Sequence, residues 1–179
     1  MLEPFTSTFL HHVVAIMILL ILPLSTGAVE QKCQPSTAVW QSMASGDVSI
    51  NTGAGELLKI PVRVADNESK ILGGFQSLCA DAVGSTAILF IFKRPFKGKF
   101  HMQNVYLPLE TFFFSDQGAL LKVEHMLPEA GSIRQRQTYG PDEAFLYVLE
   151  IPSSEFSRKL GQQDSLFLKE LDVTSLPPQ

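Results

Sequence analysis

Apolar and polar positions alternate most cleanly at Leu58–Val64, with Leu58, Ile60, Val62 and Val64 on one side and Lys59, Pro61 and Arg63 on the other. A period of two predicts a half-buried strand, and Pro61, which has no N–H to give a ladder, makes it an edge strand or the edge-facing part of one. Asp66-Asn67 offers a cap for a short helical turn over Glu68–Leu72, stopped by Gly73-Gly74. Phe75–Ser85 has no strong period. Thr86–Phe92 (TAILFIF) is continuously apolar and predicts a strand covered on both faces. Lys93–Lys99, where Lys93, Arg94, Lys97 and Lys99 surround Pro95 and Gly98, reads as a solvated loop that keeps a sheet edge from pairing. Phe100–Asn104 returns as a short strand with Phe100, Met102 and Asn104 on one face. Leu109–Phe114 and Ala119–Met126 flank Ser115-Asp116-Gln117-Gly118, a hairpin signal whose glycine supplies the positive φ. Leu127–Glu143 is too long for an ordinary connection and reads as a functional or disordered loop. Phe145–Ile151 predicts another strand, running into a helix opened by Pro152, carrying Phe156 and Leu160 one turn apart, and stopped by Gly161. Ser165–Leu168 predicts a last short strand. The expected fold is mainly β (α+β): a compact antiparallel β-sandwich or open barrel with one helix on the C-terminal side and a short helical turn.

Ahead of this pattern lies a different one. Val13–Leu24 (VVAIMILLILPL) is an apolar run shorter than the ~20 residues of a membrane span. It breaks at Pro23, and the small residues Ser25–Ala28 suit signal-peptide cleavage. Met1–His12 lacks the usual Lys or Arg, which keeps an uncleaved N-terminal anchor open as the alternative. Gln31-Lys32 ahead of Cys33 argues against lipoprotein processing. The expected organisation is a signal peptide or anchor over 1–28, a flexible arm or linker over 29–55, one β-rich domain over 56–172 and a tail over 173–179. The arm's Ser, Thr, Gly, Ala and Gln show no sustained period around the lone Trp40.

Charge and cysteines narrow the picture further. Fourteen Lys and Arg against eighteen Asp and Glu give a formal net charge of −4 in 179 residues, so nothing global draws the chain to nucleic acid. The membrane is expected to matter only through the N-terminal segment, where that segment stays uncleaved, and the exported domain is expected to be a monomer. Both cysteines, Cys33 and Cys79, follow the leader and would reach an oxidising compartment, where they are a candidate disulfide. Neither sits in a CxxC, and two cysteines do not make a zinc site.

Catalytic signatures are missing: the chain has no GxSxG, HExxH, P-loop or GxGxxG. No metal or cofactor is expected. Beyond the leader the histidines are His101 and His125, and His125, in phase with Leu121 and Val123, reads as a hydrogen-bonded wall residue. Glu110 shares parity with Phe112 and Phe114, and Glu150 with Leu146 and Val148. A carboxylate on an apolar face must be paired, hydrogen-bonded or neutralised. Two readings stay open. Either each carboxyl satisfies donors near a sheet end, Glu150 taking backbone groups or Asn104, or both line a cleft beside Gln103 and Asn104. In that cleft they would bind a polyol or divide acid and base roles.

The segments LGGFQSL (72–78), ILFIF (88–92), FHMQN (100–104), LPLETFFFSDQG (107–118) and YVLEIP (147–152) resemble, in order, the motifs of the prokaryotic domain-of-unknown-function family number 192. The resemblance spans about residues 56–170. It rests on Met102, Asn104, Pro108, Leu109, Asp116, Gly118, Leu149, Glu150 and Pro152 at motif positions. His101 stands where that family carries tryptophan, Gln103 where it carries lysine, Glu110 in place of aspartate, and Ser154 in place of glycine. The resemblance implies a small, largely β, often exported domain with no established reaction.

Together these readings predict an exported β-domain, periplasmic or secreted, that binds a ligand or partner of the cell envelope. The candidate cleft is His101, Met102, Gln103, Asn104, Glu110 and Glu150, and the expected partner is a saccharide or another envelope component. The alternative is a hydrolase of such a substrate using Glu110 and Glu150 as a carboxylate pair. A purely structural envelope domain is the third reading.

Overall fold

The structure, a computed structural model, describes residues 33–129, 136–163 and 165–175. The leader expected over 1–28 lies outside them. The described chain forms β1 (Ala44–Thr52), β2 (Leu57–Ala65), β3 (Ala87–Phe96), β4 (Leu109–Phe114), β5 (Leu120–Met126), β6 (Phe145–Pro152) and β7 (Leu166–Ser175). Four short helices accompany them: α1 (Ala38–Ser42) ahead of β1, α2 (Glu68–Gly73) and α3 (Ala80–Val83) between β2 and β3, and α4 (Glu155–Gly161) between β6 and β7. The strands make one seven-stranded sheet in the order β5-β4-β6-β3-β2-β1-β7. β2 and β3 pair in parallel and every other pairing is antiparallel.

The sheet curls far enough for its ends to touch. Ala119, just before edge strand β5, bridges Phe167 on β7, and the Leu168 N–H donates to Gly118 O at 2.8 Å. This is the open barrel of the sequence expectation rather than its two-sheet sandwich. The helix on the C-terminal side is α4, and the short turn capped by Asn67, whose side chain accepts from the Lys70 N–H, is α2.

Curling gives the sheet two apolar faces. The inner one is filled by Val48, Ile50, Ile60, Val62, Leu89, Phe112, Phe114, Leu149 and Ile151, with Leu160 of α4. The outer one carries Ile88, Phe90, Phe113, Phe145 and Val148, roofed by Trp40 of α1, Phe75 and Leu78 of the α2–α3 loop, and Met102, Val105 and Leu107 of the 97–108 crossing. TAILFIF is thus covered on both sides, as its unbroken apolar run predicts.

Several expectations need correction. The stretch read as a flexible arm supplies α1 and β1, and β1 lies inside the sheet between β2 and β7. β2 is likewise internal, yet its pairing to β3 runs over Val62–Ala65, so Pro61 falls where β2 has β1 alone beside it. Phe100–Asn104 is not a strand: Phe100 makes one bridge to Tyr139 and the chain then turns. β3 extends through Pro95 to Phe96, into the basic segment read as loop. Pro152 ends β6, and α4 starts instead from a capping box in which Ser154 accepts from the Ser157 N–H. β7 reaches Ser175, three residues into the stretch read as a tail.

Candidate functional site

The outer roof does not seal. Between the C-terminal end of α2, the crossing at residues 99–105 and strands β3 and β6 lies a cavity of about 180 Å³. Its walls are mostly apolar: Ile71, Leu72, Phe75, Phe90, Phe92, Phe96, Phe100, Met102, Val105 and Leu109. Leu72 and Phe96 stand 66 % and 44 % exposed, an apolar rim where a solvated surface would favour polar residues. The aromatic wall is braced edge to face, Phe100 against Phe90 at 5.4 Å and against Phe113 at 5.6 Å.

Two left-handed residues set the roof. Ser77 (φ 63°) donates its N–H to the carbonyl of Asn104 (φ 57°) at 2.7 Å, tying the loop after α2 to the crossing. Both conformations are costly for a residue with a Cβ and persist because the surroundings hold them. Behind Ser77, Gln34 pairs with Leu78, and Cys33 is bonded to Cys79 as the sequence led us to expect.

Glu150 reaches this cavity from β6. The register sets it opposite Ile88 on β3 and Thr111 on β4, so its side chain leaves the sheet on the outer face. It is 5 % exposed, and among the described residues no hydrogen bond or ion pair reaches its carboxyl. The expected donors, backbone groups or Asn104, do not arrive. Burial alone raises its pKa from 4.5 to about 8, because the charged form loses hydration and gains no partner. Thr111 beside it is fully buried, and its Oγ1 has no hydrogen-bond partner either.

The other predicted site residues divide. His101 and Met102 line the cavity with Glu150. Gln103 and Asn104 are half-buried in the turn behind it and are not part of its lining; the Gln103 N–H donates to His101 Nδ1 at 3.3 Å. Glu110 is elsewhere. It pairs with Ile151, one residue out of step with Glu150, so the two carboxyls project from opposite faces of the sheet. They cannot divide acid and base roles over one substrate bond. On the inner face Glu110 Oε1 lies 2.7 Å from His125 Nδ1 and accepts from Ser153 Oγ at 3.0 Å. His125 is hydrogen-bonded as its phase suggests, but its side chain is 47 % exposed and not a buried wall residue.

Sequence reasoning missed Phe75, Phe90, Phe92, Phe96, Val105 and the Leu72 rim as site residues. The signal was present in the family-like segments, each of which contributes at least one wall residue: Leu72, Phe90, Met102, Leu109 and Glu150. Among the described residues no three His, Cys, Asp or Glu are grouped to hold a metal, and no helix is long and apolar enough to cross a membrane.

An open, single-sheet β domain with a roofed apolar cavity is the class these observations define. The chain belongs to the domain-of-unknown-function family 192, described as an uncharacterized ACR, which it matches over residues 49–166. No curated protein matches it. Among solved structures it is similar to a Sinorhizobium meliloti 1021 protein proposed as a transcription regulator (23 % identity, TM-score 0.56, 71 % of this chain and 95 % of that one). It is also similar to a protein of unknown function from Novosphingobium aromaticivorans DSM 12444 (16 % identity, TM-score 0.56, 75 % of this chain and 98 % of that one). At these identities the likeness concerns the fold.

Proposed function

We propose that this domain is an exported binding module of the cell envelope, periplasmic or secreted, that takes a small, mainly apolar ligand with one hydrogen-bonding group. The observation that carries the reading is the partnerless carboxyl of Glu150 in an aromatic-lined cavity. Proteins rarely bury an acid without a donor, because the lost hydration is not returned; a bound ligand returns it. Pockets built from apolar walls and a few polar groups are the usual form of small-molecule sites. The Cys33–Cys79 bond is compatible with an extracytoplasmic location. An apolar wall suits a saccharide poorly, since sugar hydroxyls need many partners. The hydrolase reading loses its carboxylate pair to the register of β4 against β6.

A thermal-shift screen of the exported protein tests this, since a ligand of the folded state raises its melting temperature. Small aromatic and aliphatic compounds are expected to raise it, and Leu72→Asp at the exposed rim to weaken the effect without unfolding the domain. Hits confined to sugars, or shifts untouched by Leu72→Asp, contradict the proposal.

A further inference from the structure

The polar groups around the cavity, taken one by one, say what kind of ligand fits it, given the binding reading above. Gln76 Nε2 donates to Leu72 O at 2.6 Å. Lys99 Nζ is held by Gly140 O, Pro141 O and Asp142 at 2.8, 2.9 and 3.2 Å. His101 Nδ1 accepts from the Gln103 N–H, which leaves Nε2. The outer-face row through Glu150 runs from Arg63 on β2 through Ile88, Glu150 and Thr111 to Glu124 on β5. Its charged ends are spent: Arg63 donates to Trp40 O and Met43 O with its guanidinium 5.0 Å over the Trp40 ring, and Glu124 pairs with Lys122 at 2.7 Å. Among the described residues no cation pairs with Glu150, whose carboxyl feels burial alone.

We propose that the cavity takes a small aryl- or alkylamine, with its ammonium paired to the Glu150 carboxylate and its apolar body against Phe90, Phe92 and Met102. A ligand cation supplies the charge and the donors that the fold withholds, and a desolvated, hydrogen-bonded ion pair is the arrangement a buried carboxylate needs. A carboxylate ligand would set two acids together. A cavity of about 180 Å³ suits a ring-sized body, since an apolar cavity of ~150 Å³ holds benzene. Pairing with the amine requires Glu150 to lose its proton, so affinity rises with pH until the carboxyl is ionised, near pH 8. His101 and Lys99 are the other titratable groups of the lining, and Lys99 is already paired.

Calorimetric titration of the full exported protein with benzylamine, benzyl alcohol and benzoate separates charge from shape, because the three share one ring. At pH 8 benzylamine is expected to bind at least about tenfold more tightly than the other two, and to weaken towards pH 6 while the alcohol does not change. Glu150→Gln is expected to erase the amine's advantage, bringing benzylamine to the affinity of benzyl alcohol at both pH values, and a cooperative urea melt of the variant reports that it is folded. Equal binding of amine and alcohol, or tighter binding of benzoate, overturns the amine assignment and leaves the apolar-ligand reading standing. No binding of any of the three at millimolar concentration overturns both.

Discussion

Burial pushes the Glu150 carboxyl from its ordinary value of 4.5 up to about 8 in the fold. Across that window the native state holds a proton that the unfolded chain has lost, so unfolding free energy falls as pH rises and levels off above 8. The expected loss is on the order of 5 kcal/mol before relaxation reduces it. Urea melts from pH 5 to 8.5 should show this slope, and Glu150→Gln should remove it and be the more stable protein at the alkaline end; parallel curves for the two would contradict the assignment. Next to it, Thr111 buries a hydroxyl without a partner. Thr111→Val is therefore expected to be neutral or to stabilise by up to about 1 kcal/mol, and a clear loss in the same melts would mean that the hydroxyl is bonded. Glu110 behaves oppositely, since His125 and Ser153 both converge on it. Removing it as Glu110→Ala is expected to cost about 1–3 kcal/mol. Residue parity marked both glutamates as unusual. Parity within one strand does not say which face another strand presents, and the pairing of Glu110 with Ile151 sets the two carboxyls on opposite faces.

Elements whose sequence carries its own geometry were legible: β2 by alternation, the β4–β5 hairpin by its glycine turn, β3 and β6 by dense apolar runs. β1 was not, because Ala44–Thr52 has few large apolar residues and its stability comes from β2 and β7 on either side. α1 and α3 are too short to show a helical period. The Phe100–Asn104 stretch looked like a strand because Phe100 and Met102 alternate with the polar His101 and Gln103, but its backbone turns over the sheet instead of pairing along it. Turn chemistry gives an element-scale test. Gly118 has φ +82°, and a Cβ there would stand 2.4 Å from the carbonyl oxygen of Leu168 on β7. Gly118→Ala should then combine backbone strain with a clash at the point where the sheet's two ends meet. The expected loss is at least about 1–3 kcal/mol, with amide exchange at Leu168 rising first. An unchanged melting point would show that the contact does not matter.

Over the whole molecule, the cavity depends on a roof that is not part of the sheet. The Cys33–Cys79 bond joins residues 46 apart and holds Gln34 against Leu78; Ser77 in turn holds Asn104. Reduction is expected to lower stability by about 3–4 kcal/mol and to hasten exchange of the Ser77 amide before that of the inner-face strands. The sequence showed the bond's two partners and several wall residues. What joined them was a crossing of the sheet whose face no local pattern fixes. The central claim is that this roof buries an acid without giving it a partner. Carboxyl-carbon NMR titration of the protein, with Glu150→Gln to assign the resonance, tests it directly. The account predicts that Glu150 titrates near 8, and a midpoint in the ordinary carboxylate range near 4.5 would contradict it.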